Sequence, residues 1–223
     1  MVPMRKFFLR ALLCLVIFAM ILGIWVAIDL NRSYKVDIRA FDADQVATLD
    51  TAMWRSYYSR QRLKLFGEAG ELLASQFHFP FWRRQLVAFY AAKAAFVFKD
   101  GSTRDDYEMA LPDLKKFYGE IHAVSTTDFD VDNAANLELE WWIVHRQRQQ
   151  HAPGDLARAL ADGAAAIYDV PAEGLAEYGE LRAKAMEIRD NKAEAGAVTE
   201  EDWQKIDDLL HRSWRSLHTA VNR

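Results

Sequence analysis

The sequence contains a single cysteine, Cys14, among its 223 residues. This excludes an internal disulfide and a metal site built from several cysteines. Basic residues are not in excess either, since 28 Lys and Arg stand against 32 Asp and Glu, which gives a net charge of -4. A nucleic-acid binder of the usual basic kind is therefore excluded.

Motifs that carry chemistry are missing as well. The sequence has no Gly-rich phosphate loop, no G-x-S-x-G nucleophile turn, no H-E-x-x-H and no EF-hand loop, and it lacks the pair of Glu-x-x-His motifs of di-iron bundles. We therefore predict no catalytic residue, no cofactor and no metal, and expect that the chain is not an enzyme. Apolar residues make up 51% of the sequence, too many for a disordered chain, so a folded body is expected.

What the sequence does contain is a long uncharged run near its N-terminus. Residues 11–28 include no charge and no proline, and as a helix they extend about 27 Å, close to the ~30 Å hydrocarbon core of a bilayer. A signal peptide is the alternative, but its apolar core is shorter, and cleavage after Ala27 would put Trp25 where a small residue is required. We predict that residues 1–28 form an uncleaved transmembrane anchor.

The charges around this run predict its orientation. Arg5, Lys6 and Arg10 precede it and Asp29 follows it, so the positive-inside rule places the N-terminus in the cytoplasm and the helical domain outside, in the periplasm if the source is bacterial. Further basic residues downstream weaken this bias. Without residues 1–28 the chain has 25 basic and 32 acidic residues, a net charge of -7, which suits a body held away from anionic headgroups.

One face of the predicted anchor carries small residues at helical spacing. Ala19, Gly23 and Ala27 follow one another at intervals of four residues. Such a stripe permits close backbone approach between membrane helices, so it is a candidate interaction site. The alternative is that these residues have no such role, because alanine and glycine are common in membrane helices.

The segment after the anchor, residues 29–41, is a predicted connector. Apolar Tyr34, Val36, Ile38 and Ala40 alternate with charged residues, and this period of two indicates an extended, half-buried segment. An ordered linker is the favoured interpretation. The alternatives are an arm that lies on the helical body and a strand that adds to a sheet edge of another chain.

The remainder of the chain, residues 42–223, is predicted to be helical. Apolar periodicity and capping signals place the helices at about residues 42–77, 80–98, 103–123, 131–150, 153–168, 171–191 and 199–221. The second helix is apolar nearly all round, which predicts a position at the centre of a bundle. The seventh has the clearest start, with a capping box of Thr199 and Asp202 and a hydrophobic staple of Val198 and Trp203. The predicted fold is all-α: a transmembrane helix, a short extended connector, and a bundle of about seven helices.

Two further groups of side chains are candidates for function. Glu138, Trp142 and His145 share one face of the fourth helix, where an acid, an aromatic wall and an imidazole can form a polar pocket. The favoured alternative is that Trp142 is core, Glu138 pairs with an arginine and His145 is a hydrogen-bonded, half-buried side chain. The aromatic run 77–84, with its two arginines, is interpreted as a tight corner between helices; contact with the membrane interface or with a partner is the alternative.

These features together indicate a single-pass membrane protein that works through its surfaces. We expect an interaction or scaffolding subunit of a membrane-associated assembly, which binds a protein partner through the anchor or the connector and binds no nucleic acid. The alternative is a membrane-tethered ligand or cofactor binder that uses the pocket on the fourth helix.

Overall fold

The computed structural model describes residues 2–223. Within them the α-helices are α1 (Val2–Asn31), α2 (Ala43–Tyr58), α3 (Arg62–Phe77), α4 (Phe81–Asp100), α5 (Arg104–Glu108), α6 (Leu111–Val124), α7 (Val131–Arg146), α8 (Asp155–Tyr168), α9 (Ala176–Glu194) and α10 (Glu200–Val221). Short 3-10 turns lie at Arg148–Gln150 and Ala172–Leu175. This part of the chain contains no β-strand, so the predicted all-α fold is confirmed.

The helices after α1 form a closed ring. Helices α2, α3, α4, α6, α7, α8, α9 and α10 each pack on the next, and α10 returns to pack on α2; the short α5 lies between α4 and α7. The inward faces of these helices supply the hydrophobic core. Its largest fully buried apolar side chains are those of Ile38, Leu114, Ile121, Leu139, Leu175, Ile206, Leu210 and Leu217.

Two of the predicted helices are interrupted. The long helix expected at 42–77 is interrupted after Tyr58, where Arg60 adopts a left-handed backbone with φ of 58°. The helix expected at 103–123, in which Pro112 predicts a kink or a break, is divided into α5 and α6; Pro112 stands in the first turn of α6, where its missing N–H costs nothing. Nine helices therefore follow α1 in the described chain, where about seven were expected.

The start of α10 agrees with its local signals. Thr199 is the N-cap and forms a reciprocal capping box with Asp202, as predicted. Val198 and Trp203 are both partly buried against the same apolar cluster, as a hydrophobic staple requires. This boundary was predictable because all its determinants lie within six consecutive residues.

The connector lies on the body, but the prediction that residues 29–41 are extended was only partly right. Residues 29–31 belong to α1, and residues 37–40 form a turn in which the Ala40 N–H donates to the Asp37 carbonyl at 3.1 Å. Val36 forms a parallel bridge with Ser125, in which the Val36 N–H donates to the Val124 carbonyl at 2.7 Å. Ile38 is fully buried and Phe41 is 5% exposed, and both belong to the main core. Tyr34, Val36 and Ile38 thus pack on the helices, whereas Ala40, the last apolar residue of the alternating pattern, is exposed.

Helices α8 and α9 cross at Gly179, where no side chain fits. A Cβ at this position would collide with the backbone carbonyl of Ala157. We expect Gly179→Ala to lower the free energy of unfolding by about 1–3 kcal/mol, the range for overpacking a tight site, because the obstacle is backbone and the two helices must separate. Denaturant unfolding of the full chain in detergent, followed by helical circular dichroism, measures this loss.

The control for this change is Gly67 on α3. It is also in a helix interior, but a Cβ there meets nothing within 4 Å. Gly67→Ala should raise stability by up to about 1 kcal/mol, because alanine is the better helix former. Equal effects of the two substitutions would show that α8 and α9 are not in close contact at Gly179.

Candidate functional site

The end of α1 is attached to the start of α4. The Trp25 ring stacks on Phe81 with centroids 5.8 Å apart, and it meets Trp82 edge-on at 5.4 Å. Asp29 is buried, and its carboxylate accepts the backbone N–H of Arg83 at 3.0 Å. The N-cap of α4 is Pro80, which has no side-chain acceptor, so Asp29 of α1 caps this helix in its place.

Arg83 also joins the start of α4 to α6 and to the connector. Its guanidinium donates to the Glu120 carboxylate at 2.7 Å and to the Arg32 carbonyl at 3.5 Å, and it lies over the Tyr34 ring at 5.8 Å. Burial raises the pKa of the Tyr34 hydroxyl, although the nearby Arg83 charge acts in the opposite direction. Stacking, a helix cap and an ion pair thus hold the end of α1 on the body.

The small-residue stripe lies on a face of α1 that the body leaves uncovered. Ala19, Gly23 and Ala27 are all exposed, and a Cβ at Gly23 would meet nothing within 4 Å. Leu22 and Val26, on the neighbouring face, are half-buried. Among the described residues, one helix, Phe7–Asn31, is long and apolar enough to cross a membrane.

Helix α4 is not at the centre of the bundle, and that prediction was wrong. It packs on α3 and α6 with one side, while Phe81, Phe89 and Phe96 on its other side are 44%, 52% and 54% exposed. In the aromatic run before it, Phe77 and Phe79 are buried in the core, as a corner between helices requires. Phe81, Trp82 and Arg83 lie against the end of α1, whereas Arg84 pairs with Glu71 of α3.

The structure brings together two of the three residues of the candidate pocket. Trp142 Nε1 donates to Glu138 Oε1 at 2.9 Å, and the Tyr118 hydroxyl donates to Glu138 Oε2 at 2.7 Å. Burial, and then the Glu138 charge, raise the pKa of Tyr118, so this phenol stays protonated and remains a donor. His145 bonds elsewhere: its Nε2 lies 2.8 Å from the Asp190 carboxylate on α9. Glu138 therefore has a tyrosine and a tryptophan as partners, in place of the expected arginine.

The most buried charged cluster was not predicted. Asp50 of α2 is fully buried; its Oδ2 accepts from Arg182 of α9 at 2.5 Å and from the Trp214 indole of α10 at 2.9 Å. The Arg182 guanidinium also lies between the Trp54 and Trp214 rings, 5.5 and 5.6 Å from their centroids. Burial lowers the pKa of Arg182, but the Asp50 carboxylate more than offsets this, so the pKa is raised. One feature of the sequence indicates this cluster: Asp50 is an acidic residue on the apolar face of α2, four residues before Trp54.

No group of three or more His, Cys, Asp or Glu side chains within the described chain is placed to hold a metal ion. Comparisons with known protein families, with curated proteins and with solved structures find no match to this chain. The fold alone defines the class: an all-α helical bundle that carries one candidate membrane-spanning helix. Any function must therefore be argued from the surfaces and contacts described above.

Proposed function

We propose that this is a single-pass membrane protein whose helical domain lies outside the cytoplasm and serves as an interaction subunit of a membrane-associated assembly. One observation carries the proposal: α1 is held on the body at Trp25 and Asp29, while its small-residue stripe is left uncovered. A helix fixed at one end presents that stripe in a defined direction, which favours docking against another membrane helix.

The contacts of Trp25 support an anchor that is retained. Cleavage of a signal peptide after Ala27 would remove Trp25 and strip the aromatic partner from Phe81 and Trp82. Trp25 and Phe81 are about half-exposed, and each aromatic pair of this kind adds about 0.5–1.5 kcal/mol beyond its area, which favours a retained segment.

The orientation rests on the charges that flank the apolar run. Arg5, Lys6 and Arg10 favour a cytoplasmic N-terminus, and the body then lies on the other side of the membrane. A reporter fused after Arg223 that is active in the cytoplasm would contradict this part of the proposal.

Substitution of the stripe tests the interaction. Gly23→Leu should leave membrane insertion intact, because leucine is favourable in a membrane helix. The added bulk should block close approach of a partner helix and weaken association by about 1–3 kcal/mol, which is a 5- to 150-fold loss of affinity. Purification in mild detergent followed by native electrophoresis measures the loss as a missing partner or a faster band.

The matched control is Ile21→Leu, which changes a residue on another face of the same helix. It should co-purify and migrate like the natural chain. If Gly23→Leu does the same, α1 is only a tether, and the interaction proposal loses its main support.

Ligand binding at Glu138 is the weaker candidate. Both oxygens of this carboxylate already accept hydrogen bonds, from Tyr118 and Trp142, and His145 is bonded to Asp190. A ligand that replaced Tyr118 as a partner would leave a buried hydroxyl without an acceptor, which costs about 1–3 kcal/mol.

A further inference from the structure

The exposed side of α4 is an apolar face. At about 100° per residue, Phe81, Phe89 and Phe96 fall within about 80° of one another around the helix axis. The residues between them on this face are Gln85 and Ala92, and neither carries a charge. Three half-exposed phenylalanines in a row form a patch of the kind that soluble surfaces rarely show without a function. We call this set the aromatic face of α4.

This face begins at the anchor. Trp25 lies three residues before the end of the apolar run 11–28, which places it about 4.5 Å inside that run along the helix axis. The Phe81 ring stacks on Trp25 and so lies at the same depth. If α1 spans a bilayer, the first residue of the aromatic face is already within the membrane interface.

The contact between α1 and α4 is short. The ring contacts and the helix cap join Trp25 and Asp29 of α1 to residues 81–83 in the first turn of α4. Beyond this turn α4 packs mainly on α3 and α6, so it diverges from α1. Because α1 must follow the membrane normal to within a modest tilt, a helix that begins at the depth of Trp25 and diverges from α1 can follow the membrane surface.

We propose that the aromatic face of α4 lies in the interfacial layer of the same membrane that α1 spans, with lipid as its occupant. Residues 81 and 96 are about 22 Å apart along the helix, so the contact extends well beyond the anchor itself. Aromatic side chains are favoured at this depth, and a helix with one apolar face lies flat in the interface. This inference rests on the proposed anchoring by α1.

The charges beside the face indicate apolar attraction as the main force. Arg84 is paired with Glu71 at 2.8 Å and Lys93 is paired with Asp113 at 3.0 Å, while Lys99, at the far end of the face, is exposed and is followed by the acidic Asp100. The contact therefore does not depend on anionic lipid, and it is compatible with the net charge of -7 outside the anchor. Zwitterionic phosphatidylcholine is the appropriate probe membrane.

Depth-resolved fluorescence quenching tests the proposal on the full chain in phosphatidylcholine nanodiscs. In a Cys14→Ser background, Phe89→Cys and Phe96→Cys each carry an environment-sensitive label, and lipids with a shallow doxyl group act as quenchers. The matched control is Glu187→Cys, an exposed position on α9, which is on the opposite side of the ring from α4. We expect quenching at 89 and 96 to exceed that at 187 several-fold.

The natural Cys14, in the middle of α1, separates the two proposals. Quenching of a label at Cys14 by deeply placed doxyl lipids, with residues 89 and 96 quenched no more than residue 187, would overturn this inference and leave the anchor intact. No quenching at Cys14 would overturn the anchor and this inference together. A blue-shifted label at residues 89 and 96 without lipid quenching would show that a protein covers the face, and would also overturn the proposal.

Discussion

Asp50→Ala is expected to lower the free energy of unfolding by about 3–5 kcal/mol, the cost of removing one partner from a buried ion pair. Asp50 is fully buried and is the carboxylate partner of Arg182 and Trp214. Its loss leaves the Arg182 charge in the interior without an acceptor. Denaturant unfolding of the full chain in detergent, followed by circular dichroism, measures the change.

Two comparisons isolate this effect. Asp44→Ala removes an exposed carboxylate of the same helix, which pairs with Arg215 at 2.6 Å, and it should change stability far less. Asp50→Ala combined with Arg182→Met removes both charges, and it should recover most of the loss because a buried pair replaced by apolar groups is often neutral. If Asp50→Ala alone is as stable as the natural chain, the Asp50 side chain must be in contact with water.

Phe41→Ala is the second change with a large expected effect, again about 3–5 kcal/mol of unfolding free energy. Phe41 is 5% exposed and packs its ring against those of Tyr168, Trp214 and His218, at 6.2, 5.9 and 5.2 Å between centroids. Truncation leaves a cavity between helices α8 and α10. Thermal or denaturant unfolding of the full chain reports the loss.

The control within the connector is Ser33→Ala. Ser33 is exposed, and surface changes of this kind are usually within about 0.5 kcal/mol. If Phe41→Ala is equally mild, the connector is a linker that contributes nothing to the core. If Phe41→Ala instead lowers the free energy of unfolding by about 3–5 kcal/mol, a chain that begins at Asp42 lacks part of its core.

Local signals predicted local features well. The start of α10 was predictable because its four determinants lie within six residues: Val198, Thr199, Asp202 and Trp203. The hydrogen bond between Trp142 and Glu138 likewise follows from their spacing of four residues on one helix. Both features depend only on residues that lie within a few positions of one another in the sequence.

Features set by distant segments were not predictable in the same way. The break after Tyr58 has no glycine or proline, and it places Arg60 in a left-handed backbone that non-glycine residues rarely adopt, so no local signal predicts it. His145 bonds to Asp190, which is 45 residues away, so its partner could not be read from α7 alone. Asp50 and Arg182 are separated by 132 residues, and only the ring of helices brings them together.

The apolar character of α4 was correctly recognised and wrongly interpreted. A helix that is apolar nearly all round is usually buried by protein. Here the helix begins beside Trp25 of α1, and its aromatic face is left open at the end of a candidate membrane helix. An apolar composition predicts that a helix is shielded from water, but it does not predict whether protein or lipid shields it.

Closure of the ring by α10 has a consequence for biogenesis. Trp214 of α10 bonds to Asp50 of α2, and Asn222 donates to the Arg39 carbonyl at 3.1 Å, so the first and last parts of the body complete each other. A chain that emerges N-terminus first holds an open array of helices, with the apolar edge of α2 uncovered, until its final 22-residue helix arrives. The ring can therefore close only after α10 has been synthesised, and until then the uncovered apolar surfaces of the chain are exposed to aggregation.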